Sequence, residues 1–231
     1  DLELASAPYA RLDLSGVDFS GSVLTDACFD GANLTDTIFD GATLARATFA
    51  RADARRATFR EADLTEIRAP EANFEQAVLD DAAGSDAVFA SARLCGASLV
   101  GAELESGDFT RCDLRGARLD GADLTGSILD GADLSGSSLV DTSLESVHAH
   151  DANFERSRLP DVRASDGADF TRARFVLVDA AGAQFQGAIL FDANLAGSNF
   201  EGADFSGARA ARVNLLRCVL RGACLDRADL T

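Results

Sequence analysis

The chain has 231 residues and a formal net charge of −17, with 38 acidic residues against 21 basic ones, all of them arginine. A balance this acidic excludes ordinary nucleic-acid binding, which needs a basic surface. A hydrophobic content of 47% excludes a disordered acidic tail, and no apolar run approaches the ~18 residues of a membrane span.

From residue 4 onward a large apolar residue returns at every fifth position, as in Leu14, Phe19, Leu24, Phe29, Leu34 and Phe39. The register holds to Ala164, slips by one residue near Ser165–Gly167, and resumes at Phe170, Phe175, Ala180 and Phe185 to end at Leu230. That makes 46 five-residue units, and 38 of their centres are Leu or Phe, a regularity that chance does not produce. A second column, mostly Ala, stands two residues before each centre, as at Ala32, Ala62, Ala92, Ala122, Ala132 and Ala203. Residues two apart in extended chain share a face, so both columns point inward. The other three positions face out or form corners, and Gly121, Gly126, Gly131 and Gly136 close their units with the backbone freedom a corner needs. A chain that turns repeatedly the same way stacks as a solenoid. Periodicity alone leaves the number of sides open.

The two inner columns exchange volume, as a close-packed core requires. Where the centre is small, at Ala69, Ala149, Ala164 and Ala180, its partner is enlarged, at Ile67, Val147, Val162 and Val178. Ala54, Gly84 and Ala210 lack this compensation, which predicts loose packing or local distortion there. Aspartate recurs just before the centre, at Asp13, Asp53, Asp63, Asp113, Asp123 and Asp133. A short polar side chain at that place is expected to bond the turn backbone rather than to do acid–base chemistry.

The phrase Ala-Asp/Asn-Leu/Phe-x-x, carried over residues 2–231, resembles the pentapeptide-repeat family. The resemblance implies an all-β fold, a right-handed quadrilateral parallel β-helix with four units per coil. The chain is then a single solenoid over 2–231 with a one-residue slip near 165–167. It would have about 11.5 coils and a length of about 55 Å at ~4.8 Å per coil.

A filled rod offers no pocket on which groups converge, and the sequence carries no GxSxG, P-loop or HExxH motif, so the chain is read as a non-enzyme without cofactor. His148 and His150 flank Ala149 on one outer face and are read as exposed polar residues rather than metal ligands. Cys28, Cys95, Cys112, Cys218 and Cys224 form no CxxC and are read as reduced thiols of a cytoplasmic protein, with no signal peptide visible. Charge varies along the chain: residues 1–40 carry −7, 41–60 carry +4, 61–110 carry −9, 111–207 carry −8 and 208–231 carry +3. The stretch with Arg46, Arg51, Arg55, Arg56 and Arg60 reads as a basic belt one coil tall.

Two functions are kept open. One is a scaffold or regulatory module that binds proteins through outward apolar residues, Val176, Leu177, Ile189, Phe191 and Leu216, with a homodimer through the C-terminal coils as one arrangement. The other is implied by the resemblance: some family members, including quinolone-resistance groups, act as DNA-shaped decoys for DNA gyrase and topoisomerase IV. For that reading the contact surface is Glu61, Glu66, Glu71, Glu75, Asp80, Asp81, Asp120 and Asp130. Several quinolone-resistance members also carry projecting loops and a C-terminal dimerisation helix, whereas this sequence inserts one residue and still reads as repeat at Leu230.

Overall fold

The residue before each centre forms a parallel β-bridge, and the two residues after the centre form a turn. The computed structural model describes residues 4–231; Leu2 and Glu3, where the expected repeat begins, lie outside them. Bridges join residues 20 apart, as in Asp13 with Asn33, Asn33 with Asp53, and Ile38 with Thr58. Twenty residues are four units. We number the sides 1 to 4 after the centres Leu24, Phe29, Leu34 and Phe39, and give each corner the number of the side it follows.

One pattern of hydrogen bonds repeats along the whole chain. The centre's N–H donates to the bridge residue of the next coil, Leu24 to the Thr43 carbonyl at 2.7 Å. The bridge residue donates back, Thr43 to the Ser22 carbonyl at 2.9 Å. Corners close with a bond such as Ala27 N–H to the Leu24 carbonyl at 3.0 Å, except after Phe175, where Val178 N–H donates instead to Ser198 Oγ at 3.0 Å. Every turn from Ser6 to Arg227 ends on a residue with positive φ, which is the signature of a type II turn. Glycine meets that requirement at low steric cost, and Gly121 at φ 69° is one of many. The result is a β-helix solenoid whose backbone polarity is consumed coil against coil.

Both inward columns are buried from Phe19 to Ala210, and open toward the two ends, where Leu12 and Leu230 are exposed. Aromatic centres stack along the axis: Tyr9, Phe29 and Phe49 on side 2 have ring centroids 5.0 and 4.9 Å apart, and Phe19, Phe39 and Phe59 on side 4 have them 5.3 and 4.9 Å apart. Several polar residues in the small column turn their hydroxyls or thiols to a carbonyl of the preceding coil, whereas Ser137 and Ser157 bond the carbonyl three residues back, each at 2.6 Å. Thr37 reaches Leu14 at 2.9 Å, Thr142 reaches Leu119 at 2.7 Å, and Cys112 reaches Phe89 at 2.9 Å. All four exchanged pairs, Ile67–Ala69, Val147–Ala149, Val162–Ala164 and Val178–Ala180, are buried.

Two of the three uncompensated positions depart from expectation, because neighbouring coils supply the missing volume. Leu104 on the next coil places its Cδ2 2.8 Å from where a Gly84 β-carbon would stand. Over Ala54, the Phe74 ring leans across to Phe49 and Phe59, with centroids at 6.3 and 5.7 Å. Ala210 lines a partly open apolar cavity of about 10 Å³ together with Leu190, Phe205 and Leu230.

At the slip the bridge spacing becomes 21 for four pairs, His148 with Asp169, Asn153 with Arg174, Arg158 with Asp179, and Arg163 with Gln184, and returns to 20 at Asp169 with Ile189. The extra residue sits in corner 1, where Asp166 and Gly167 both have positive φ. Ser146 Oγ donates to the Asp166 carbonyl at 3.0 Å, so the added acceptor is satisfied.

Candidate protein-contact surfaces

Much of the outer polarity is spent on the fold. Each of Asp13, Asp53, Asp63, Asp113, Asp123 and Asp133 accepts the backbone N–H two residues ahead, at 2.9 to 3.3 Å. A second use appears at the first corner position, where the aspartate caps the equivalent N–H one coil later. Asp30 accepts from Ala50, Asp80 from Val100, Asp120 from Val140 and Asp130 from His150. The 20-residue spacing carried this second signal, which a five-residue reading misses. The Arg115 hydrogen bonds hold Asp113 below the usual carboxylate range, and Arg55 does the same for Asp53.

The basic belt is not a belt in three dimensions. Arg46, Arg56 and Arg60 pair with Asp26, Asp36 and Asp40 of the preceding coil, and Arg55 pairs with Asp53. A block of sequence counts charge around the circumference, whereas most ion pairs form along the axis, from coil to coil.

His150 lies between two carboxylates, Nδ1 3.0 Å from Asp130 and Nε2 3.1 Å from Asp169. Burial pushes Asp169 up, but hydrogen bonds from Thr171 and His150 outweigh it and leave the carboxyl below its ordinary value. Both imidazole nitrogens are engaged in different directions, and no group of three ligating side chains is arranged for a metal among the described residues. Cys112 is buried, which pushes its thiol well above the ordinary range, and the five cysteines are unpaired thiols.

The eight candidate carboxylates do not form one surface. Glu61, Asp80, Asp81 and Asp120 lie in corner 4 and Glu66 in corner 1, while Glu71 and Asp130 lie in corner 2 and Glu75 in corner 3. Corner 4 and corner 1 both flank side 1. Asp80 and Asp120 cap backbone, and Glu75 pairs with Arg93 at 3.1 Å. Glu61, Glu66, Asp81 and Asp161 make no ion pair among the described residues.

Sorting every described charge by side exposes a division that the chain order hides. Side 1 with its two flanking corners carries 19 acidic residues and 5 arginines, a net of −14. Side 3, half a coil away, carries with its corners 12 of each, a net of zero. The five apolar candidates avoid side 1. Val176, Leu177 and Leu216 share corner 3, Phe191 is in corner 2, and Ile189 is on side 2. Leu177 and Leu216 are exposed, at 51% and 65%, whereas Val176, Ile189 and Phe191 are half-buried. The Arg209 guanidinium covers the Phe191 ring, 4.9 Å from its centroid.

A family model described as pentapeptide repeats matches the chain in eight copies, over residues 10–41, 27–65, 37–76, 70–106, 87–126, 127–163, 166–197 and 198–231. No curated protein matches the chain. Among solved structures, one similar chain is HetL, a pentapeptide repeat protein involved in heterocyst differentiation regulation from the cyanobacterium Nostoc sp. It is 27% identical over 99% of this chain and 89% of its own, with a TM-score of 0.39. Another is trypsin-treated QnrB1, a plasmid-mediated fluoroquinolone resistance protein, 22% identical over 68% of this chain and 82% of its own, with a TM-score of 0.47. A third is Rfr23 from the cyanobacterium Cyanothece 51142, 24% identical over 55% of this chain and 60% of its own, with a TM-score of 0.27.

Proposed function

The chain belongs to the pentapeptide-repeat family, and from that premise we propose that it acts without catalysis, as a scaffold or regulatory module whose sides bind other proteins. Members of the family are generally structural or interaction modules. The observation that carries the reading is the division of charge, −14 around side 1 against zero around side 3. Solubility asks only for net charge, and an even distribution would serve it as well. Confining the charge to one side supports a surface addressed to a partner with a basic face. In this reading the described residues, 4–231, form one right-handed, four-sided β-helix of a cytoplasmic protein. A photo-crosslinking residue at Asp81 in corner 4 should trap a recurrent protein other than a second copy of this chain in cells, and the same residue at Gly116 in corner 3 should not trap that protein. Trapping from corner 3 alone would sink the choice of side.

A second reading is favoured by the length over which those carboxylates recur. B-DNA carries one charge per about 1.7 Å, hence about 32 over 55 Å, and a protein saddle on one side of a duplex meets about half of them. Side 1 with its corners approaches that figure. On this reading the rod is a decoy for a type II topoisomerase, DNA gyrase or topoisomerase IV, and confers resistance to quinolones or other topoisomerase poisons. A gyrase supercoiling assay tests it at two salt concentrations, with the intact protein and with a variant carrying Glu61→Gln, Glu66→Gln, Asp81→Asn and Asp161→Asn. Inhibition should be strong for the intact protein, weaker for the variant, and weaker at high salt. No inhibition by the intact protein removes the tested gyrase and leaves the scaffold reading.

A further inference from the structure

We infer that a second copy of this chain docks on the apolar ridge of Val176, Leu177 and Leu216 in corner 3, pairing two rods with their acidic sides turned outward. The inference rests on the protein-binding reading and names one partner for the side that carries no net charge.

The first observation is backbone strain. Every turn ends in a left-handed residue, and among the described residues Leu177, at φ 59°, is the only apolar one; the others are Gly, Asp, Glu, Arg, Ser and Gln. The left-handed cost is carried by the β-carbon, as at every other non-glycine residue there; what sets Leu177 apart is an apolar side chain left 51% exposed, with that cost not offset by burial within the chain. Glycine or aspartate would serve the turn better, so the leucine answers a demand outside the turn.

The second observation is continuity. Three consecutive turns of corner 3 stack, with Leu177 N–H on the Ala196 carbonyl at 3.1 Å and Gly197 N–H on the Leu216 carbonyl at 2.9 Å. The Leu177 Cδ2 lies 2.9 Å from where a Gly197 β-carbon would stand, so that glycine leaves the space in which the leucine rests. Val176–Leu177, Ala196–Gly197 and Leu216 form one apolar ridge, interrupted only at Arg217.

The third observation selects the occupant. Two copies opposed through side 1 would bring two surfaces of −14 together, whereas side 3 and its corners sum to zero with Asp and Arg interspersed. A two-fold axis through the ridge sets Leu216 of one copy against the partner's Leu177, in the self-complementary manner of an isologous contact. Asn194, Asn214 and Arg174 on side 3 supply the polar rim such a contact needs.

The test is sedimentation equilibrium of the full chain with thermal melts of the same samples, for the wild type, Leu177→Gly, Leu216→Ser and Asp81→Asn. The wild type should dimerise at micromolar concentration. Leu177→Gly and Leu216→Ser should each weaken dimerisation at least about tenfold, while Asp81→Asn should not. Leu177→Gly is the discriminating variant because it relieves the turn: at a dilution where both chains are monomeric, it should melt no lower than the wild type. A monomeric wild type, a dimer indifferent to both ridge variants, or a Leu177→Gly chain that melts well below the wild type at a dilution where both are monomeric would each overturn the inference. Any of these could occur while a crosslink from Asp81 is still found, so failure here is distinct from failure of the reading above.

Discussion

At the scale of single residues, the repeat is enforced by two demands that substitutions can separate. One is inward volume. Gly84 departs from the Leu/Phe rule, and restoring the rule should harm the protein, because Leu104 already fills the place. Gly84→Leu is expected to cost about 1–3 kcal/mol, read as a lower midpoint in chemical denaturation. The other demand is satisfaction of the corners by aspartate. Asp53, Asp113 and Asp169 have lowered carboxyl pKa values in the folded chain, the first two through arginine hydrogen bonds and the third through hydrogen bonds that outweigh its burial. A lowered folded-state pKa stabilises the fold above the unfolded carboxylate range and loses that contribution as pH falls through it. The melting temperature should therefore drop between pH 5 and pH 3, and Asp113→Asn should lower it at pH 7 while flattening the acid decline. The sequence made the first aspartate role legible, since Asp before the centre is a local signal. It concealed the capping role of Asp30, Asp80 and Asp120, whose partner lies a full coil away.

At the scale of the coil, the informative place is the slip. Corner 1 absorbs one residue at Gly167 while bridges continue on both sides, and Ser146 Oγ takes up the added carbonyl. The insertion is thus a local loop in a continuous ladder. Deleting Gly167 should give a chain that folds with an unchanged circular-dichroism spectrum and a midpoint within a few degrees of the wild type. Both chains should show a single thermal transition; two transitions separated at residues 165–167 would contradict one solenoid unit. The five-residue period announced the slip, because later centres regain strict spacing. It did not give the four units per coil, which the bridges at separation 20 supply. The packing at Ala54 and Gly84 was illegible for the same reason: Phe74 and Leu104 belong to the coil above.

At the scale of the molecule, the blocks of charge along the sequence mislead, since each 20-residue block visits all four sides. Three of the five arginines in residues 41–60 pair axially with aspartates of the preceding coil, and the −14 of side 1 is assembled from positions scattered over the whole chain. Self-repulsion therefore falls mostly on one side. Changing Glu61, Glu66, Asp81 and Asp161 together to their amides should raise the melting temperature, more at low ionic strength than at high; an unchanged or lower value would show that side 1 bears no net repulsion. One-sided repulsion also has a mechanical outcome. Coils are spaced by about 4.8 Å, well inside a screening length that grows from about 10 Å at 0.1 M salt to about 30 Å at 0.01 M. Desalting should push the coils apart along side 1 and leave side 3 at its natural spacing, so the rod arches with side 1 on the convex flank. Small-angle scattering would register this as a shortened maximum dimension, and a partner that neutralises side 1 would draw the arch straight.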